Sequence, residues 1–161
     1  MIRHTRFLYL LALLPVFSIA KTVYSGEFDY HYFKSPEAYF SGRTAAEVAR
    51  MCNSGEHASN DDLAQCSHLK FNKTSRRLES NLKAVRMKNA SVDKSLRASG
   101  NPQASPFFEK AQSAWEAYRD NECYSETYAM GGAAEREIFF WECMASITDS
   151  RVKELDQLLT N

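Results

Sequence analysis

Wherever apolar and polar positions along this chain repeat, they do so with the period of a helix. Between residues 44 and 160 no stretch alternates with period two, whereas steps of three and four recur. Thr44-Ala45-Ala46-Glu47 reads as a capping box opening a helix that carries Val48 and Met51 and stops near Gly55. Asn60 is the expected N-cap of the next, whose stripe of Leu63, Cys66, Thr74, Leu78, Leu82 and Val85 runs to about Met87. The segment ASGNPQASP, Ala98 to Pro106, breaks the chain. Ser105 and Pro106 then supply an N-cap and a first-turn proline for a third helix reaching about Met130. After Gly131-Gly132 a fourth helix turns Phe140, Cys143, Met144, Ile147, Arg151, Leu155 and Leu158 inward.

Two places break this pattern. In EFDYHYF, residues 27–33, Phe28, Tyr30 and Tyr32 alternate with Asp29 and His31, which predicts an extended aromatic arm. Its rings either pack across the helices or form a contact strip for a partner. In FEKAQSAWEAYRDNEC, residues 108–123, the positions Phe108, Ala111, Gln112, Trp115, Arg119 and Cys123 share one face. A guanidinium that cannot shed its charge therefore lies where a hydrophobe belongs, and Arg151 occupies the matching stripe of the fourth helix. We read the pair as structural. Acids from among Asp120, Glu122, Glu126, Glu142 and Glu154, together with helix-terminal carbonyls, would hold the two charges while Trp115 packs on the stem of Arg119. The alternative is an anionic ligand bound between the two arginines.

The first residues change the picture by setting a compartment. Arg3, His4 and Arg6 precede an apolar run from Phe7 to Ile19, and Ser18-Ile19-Ala20 is a small-x-small cleavage site, so residues 1–20 read as a secretory signal peptide. The run is too short to cross a hydrocarbon layer of about 30 Å, and no cysteine follows it to carry a lipid anchor. Cys52, Cys66, Cys123 and Cys143 in an exported chain argue for two disulfides, with three connectivities open. The midpoint of 123 and 143 falls beside Gly131-Gly132, and that of 52 and 66 inside NSGEHASN. Residues equidistant from a turn face each other in an antiparallel helix pair, which predicts Cys52–Cys66 and Cys123–Cys143. The expected fold is all-α: a four-helix, disulfide-stapled bundle of two helical hairpins over residues 44–161, preceded by an arm over 21–43.

Without Arg3 and Arg6, 18 basic side chains face 20 acidic ones. Ser67 to Ala98 holds nine Lys/Arg against two acids, while Phe107 to Asn161 holds eleven acids against five bases. These are either solvated faces that attract each other within the fold or a basic patch for an anionic surface. No Gly-x-Ser-x-Gly elbow, His-Glu-x-x-His pair or phosphate-cradling glycine loop is present. No catalytic residue, metal or cofactor is expected, and the protein reads as a non-enzyme. Cys52, His57, Cys66 and His68 are chelating types without the spacing of a zinc module. His57 is expected in a loop and His68 on a helix surface. Asp61-Asp62 suit a helix N-terminus better than a glycosidase pair, since neighbours on a helix point apart.

Ala111-Gln112, Trp115, Arg119-Asp120, Cys123, Cys143, Arg151 and Leu155 together resemble the LprI-type lysozyme-inhibitor family. These are small exported helical domains with an AQ-x-x-W-x-x-x-RD-x-x-C pattern. The resemblance spans roughly Cys52 to Leu155. It departs at His68 and Ser75, where the family pattern has Asp and Tyr. It implies a periplasmic or secreted protein with a protein partner, lysozyme or another cell-wall hydrolase, and neither nucleic acid nor a membrane span. An immunity protein against a periplasmic toxin and a structural envelope module are the other readings. The predicted contact residues are Ser99, Gly100, Asn101 and Gln103 in one connection and Gly131 and Gly132 in the other, because these join elements and lack large hydrophobes.

Overall fold

The computed structural model describes residues 24–160, and the elements within them are helical. The signal peptide predicted over residues 1–20 lies outside the described residues. A 3-10 turn at Tyr30–Tyr32 is followed by α1 (Pro36–Tyr39), α2 (Ala45–Ser54), α3 (Asn60–Ala98), α4 (Ser105–Ala129) and α5 (Arg136–Thr160).

The caps explain most of these boundaries. Thr44 and Glu47 form the predicted capping box, and Gly55, at φ 68°, closes α2 in the left-handed conformation that glycine adopts without a Cβ penalty. α3 corrects the expectation at both ends. Its N-cap is Ser59, in a capping box with Asp62, and Asn60 is the first helical residue. The same Asp62 carboxylate meets Arg43 at 3.2 Å and accepts from the Tyr39 hydroxyl at 3.3 Å, tying α1 and the turn before α2 to the start of α3. α3 also runs past Met87 to Ala98. No Gly or Pro interrupts it before Gly100, and its apolar stripe fades only because α5 has no further turns to cover it. There Lys88 donates to the Leu158 carbonyl at 2.6 Å, satisfying a carbonyl at the end of α5.

Ser105 is not the cap of α4. Ala104 holds that position without a side-chain bond, and Asp93 of α3 accepts instead from the backbone N–H of Ala104 at 2.6 Å and of Ser105 at 3.1 Å. The arm is not extended either. Asp29 accepts from the His31 N–H at 2.9 Å and starts the 3-10 turn. That turn throws Tyr32 outward, 88 % exposed, while Phe28, Tyr30 and Phe33 pack inward.

Both disulfides pair as predicted, Cys52–Cys66 joining α2 to α3 and Cys123–Cys143 joining α4 to α5. α4 runs antiparallel to its neighbours in sequence, so α3 and α5 run parallel, with His68 against Trp141 near their starts and Asn81 against Val152 and Asp156 farther along. α2 is short, and the bulk of the bundle is α3, α4 and α5. The core has two parts: Ala64, Cys123, Phe140, Trp141 and Met144 beneath the arm, and Leu78, Leu82, Val85, Val152 and Leu155 at the far end. Leu158, expected inside, is 47 % exposed. The uneven charge is partly internal: Arg77 reaches Asp149 at 3.2 Å, and Arg86 forms a two-pronged pair with Glu109 at 2.9 Å. These pairs are exposed and contribute little each.

Candidate functional site

Helical spacing on α4 does put Gln112, Arg119 and Cys123 inside, with Trp115 half-buried. Arg119 is buried; its Nε donates to Asp120 Oδ1 at 2.8 Å and its Nη2 lies 2.7 Å from the same oxygen. Aromatic faces flank the guanidinium in place of the expected helix-terminal carbonyls, Trp115 at 5.2 Å and Phe71 at 5.5 Å. The other oxygen of Asp120 accepts from the Tyr30 hydroxyl at 3.1 Å. Burial and Asp120 push that hydroxyl up to about 12, so it stays a donor. Arg151 approaches the same Trp115 ring at 6.0 Å, donates to Gln112 Oε1 at 3.2 Å and pairs with Glu154 at 2.8 Å. Each arginine thus has one acid. Arg119→Leu strands a half-buried Asp120 that keeps Tyr30, and should cost about 2 kcal/mol in urea titration. An unchanged midpoint would overturn the structural role of Arg119.

The predicted contact residues do not form one surface. Ser99, Gly100, Asn101 and Gln103 join α3 to α4, Gly131 and Gly132 join α4 to α5, and the 25 residues of α4 separate the two turns by about 37 Å. The first turn is tied down: Arg97 donates to Gln103 Oε1 at 2.8 Å and the Asn101 N–H to the Leu96 carbonyl at 2.9 Å. The second lies beside the arm. There the Tyr128 hydroxyl accepts from the Phe28 N–H at 3.1 Å and donates to its carbonyl at 3.2 Å, and Tyr124 accepts from the Tyr30 N–H at 3.1 Å.

Sequence reasoning missed what the docked arm creates, a groove of about 500 Å³ walled by Phe28, Phe33, Tyr39, Asp61, Gln65 and Glu137 with Tyr32 at its rim. Gln65 donates to the Lys34 carbonyl at 3.2 Å, while its own Oε1 is buried without a partner. Burial, and then Asp61, push the Glu137 carboxyl above the usual range. The signal available in the sequence was the arm's density of aromatic residues; the groove needs the arm, α1, α3 and α5 together to form.

A family model described as lysozyme inhibitor LprI matches residues 52–155. The chain belongs to the LprI family of lysozyme inhibitors. No curated protein and no solved structure matches it. The LprI match begins at the first cysteine and leaves the arm, α1 and most of α2 outside. Within it, His68 corrects the sequence reading: it is not a surface residue but buried, its ring stacked on Trp141 at 3.7 Å and an interplanar angle of 6°. An aspartate, as in the family pattern, could not make that stack. The Cys52–Cys66 disulfide consumes both cysteines of the chelating set, and no group of three or more metal-binding side chains occurs among the described residues.

Proposed function

We propose that this protein acts outside the cytoplasm by binding a lysozyme-type peptidoglycan hydrolase and blocking its cleft. The observation that carries this reading is the LprI family match over residues 52–155. Two disulfides suit an oxidising compartment, and none of the described helices is long and apolar enough to cross a membrane. The protein works by occupation, without chemistry of its own.

The contact surface we assign is the arm end of the bundle. Tyr32 is a large ring held outward by the 3-10 turn, the kind of rigid aromatic anchor that dominates interfaces. The groove beside it presents Asp61 and Glu137, for which no ion pair is formed among the described residues. Gly131 and Gly132 lie at this end, and the Ser99–Gln103 turn does not. Titration of the purified disulfide-bonded protein against several lysozymes in a cell-lysis assay should abolish the activity of at least one. Tyr32→Ala should weaken inhibition about tenfold or more, and Asn101→Ala should leave it unchanged. Full lysis by every enzyme at a large molar excess would overturn the reading.

A further inference from the structure

Arg136 is the first residue of α5 and is 4 % exposed. Its guanidinium lies over the Phe28 ring at 5.2 Å, which offers no hydrogen-bond acceptor. Its Nε is buried without a partner, and no carboxylate or carbonyl among the described residues bonds or pairs with it. Arg119 and Arg151, the other inward-facing arginines, each have an acid. A buried charge with no bonded counter-charge is costly; the neighbouring Glu137 acts on it only through space, and the guanidinium sits at the end of a 25-residue helix whose dipole is positive. Both terms favour a negative group supplied from outside.

There is room for one. Arg136 lines a cavity of about 450 Å³ together with Gly26, Glu27, Tyr128, Gly131 and Gly132, within the size range of small-ligand sites. The two glycines bring backbone to the cavity without side chains to fill it. The Tyr128 hydroxyl is already engaged by both backbone groups of Phe28, so it shapes the wall and does not compete for the ligand.

The geometry points to a carboxylate-binding site in which Arg136 receives a single carboxylate of a peptide, presented as a chain terminus or as an acidic side chain. A planar guanidinium matches a carboxylate with two parallel bonds. A phosphate dianion fits less well, because one guanidinium leaves a charge over and Glu27 stands in the wall. The site does not depend on which hydrolase the protein inhibits, or on whether it inhibits one.

The test is a nuclear magnetic resonance titration of the disulfide-bonded protein, following the amides of Gly131 and Gly132 and the Arg136 Nε–H. The probes are N-acetylglycine, its amide, an end-blocked tripeptide with a central glutamate, and inorganic phosphate. N-acetylglycine or the glutamate peptide should shift these signals saturably, and whichever binds tighter identifies the source of the carboxylate. The amide should not. Arg136→Gln, with circular dichroism confirming its fold, should weaken binding at least tenfold. Gly132→Val, at a glycine that does not take a positive φ, keeps the charge and fills the cavity; it should weaken binding equally and decides the matter should Arg136→Gln unfold. Saturation by the amide, equal binding of phosphate, undiminished binding by Gly132→Val, or no shift with any probe would overturn the proposal.

Discussion

Trp141→Ala should lower the unfolding free energy by about 4 kcal/mol at neutral pH, the range for emptying a large aromatic site in a core. Trp141 is 1 % exposed and ringed by aromatic neighbours: His68 stacks on it at 3.7 Å, and Phe140, Phe71, Phe33 and Tyr30 lie between 5.2 and 5.8 Å. Two of those neighbours belong to the arm, so the substitution removes the arm's seat as well as filling space with nothing. Trp141→Phe is the control. It keeps most of the ring contacts and removes an indole N–H that is buried without a partner, so its cost should be about 1 kcal/mol. Urea titration of both variants measures this. A loss below about 1.5 kcal/mol for Trp141→Ala would mean that the ring cluster does not hold the arm end together.

Acidification from pH 7 to pH 4 should cost about 3 kcal/mol through His68 alone. Burial lowers its folded value from 6.5 to about 4, with Glu37 opposing weakly. Below 6.5 the unfolded chain takes up a proton that the folded one refuses, so stability falls with pH until the folded value is reached. The physical cause is visible: Nδ1 is buried without a partner, and the imidazolium would carry a proton there with no acceptor. Glu137 works in the opposite direction, since its raised carboxyl is protonated in the folded state first. Asp62 and Asp93, whose values are lowered, give up their contributions only below about pH 4. Subtracting the curve for His68→Phe, which keeps a stacking ring and cannot titrate, isolates the term. If wild type and His68→Phe lose stability in parallel between pH 7 and pH 4.5, His68 is not the group responsible.

What the sequence made legible was local or symmetric. Thr44 and Glu47 are three residues apart, and each staple brackets a turn that chain breakers mark, so both could be read before any tertiary contact was known. What it hid depends on partners far along the chain. Ser105 looked like its own cap, but a carboxylate twelve residues earlier, Asp93, does the work. α3 appeared to end at Met87 because an apolar stripe records only the turns that another helix covers. His68 reads as a polar surface residue until α5 brings Trp141 against it. Asp29 redirects the arm with one side-chain bond to His31, which shifts the inward set from Phe28, Tyr30 and Tyr32 to Phe28, Tyr30 and Phe33. For the same reason Arg136 drew no notice: nothing in a sequence shows that a buried charge has been left without a bonded partner.

The arm also fixes an order in time. Its backbone is held by Tyr124 and Tyr128, and its rings by Phe140 and Trp141, roughly a hundred residues downstream. A chain made from its N-terminus onward emits Phe28 and Tyr30 before any of the helices and must leave them unpacked until α5 exists. The Cys52–Cys66 hairpin can close long before that, and the Cys123–Cys143 link only near the end of synthesis. Such long-range closure is the slow part of folding a small domain. An aromatic segment from the first part of this chain is therefore the last to find its place, and until then it is the surface that any folding helper would meet.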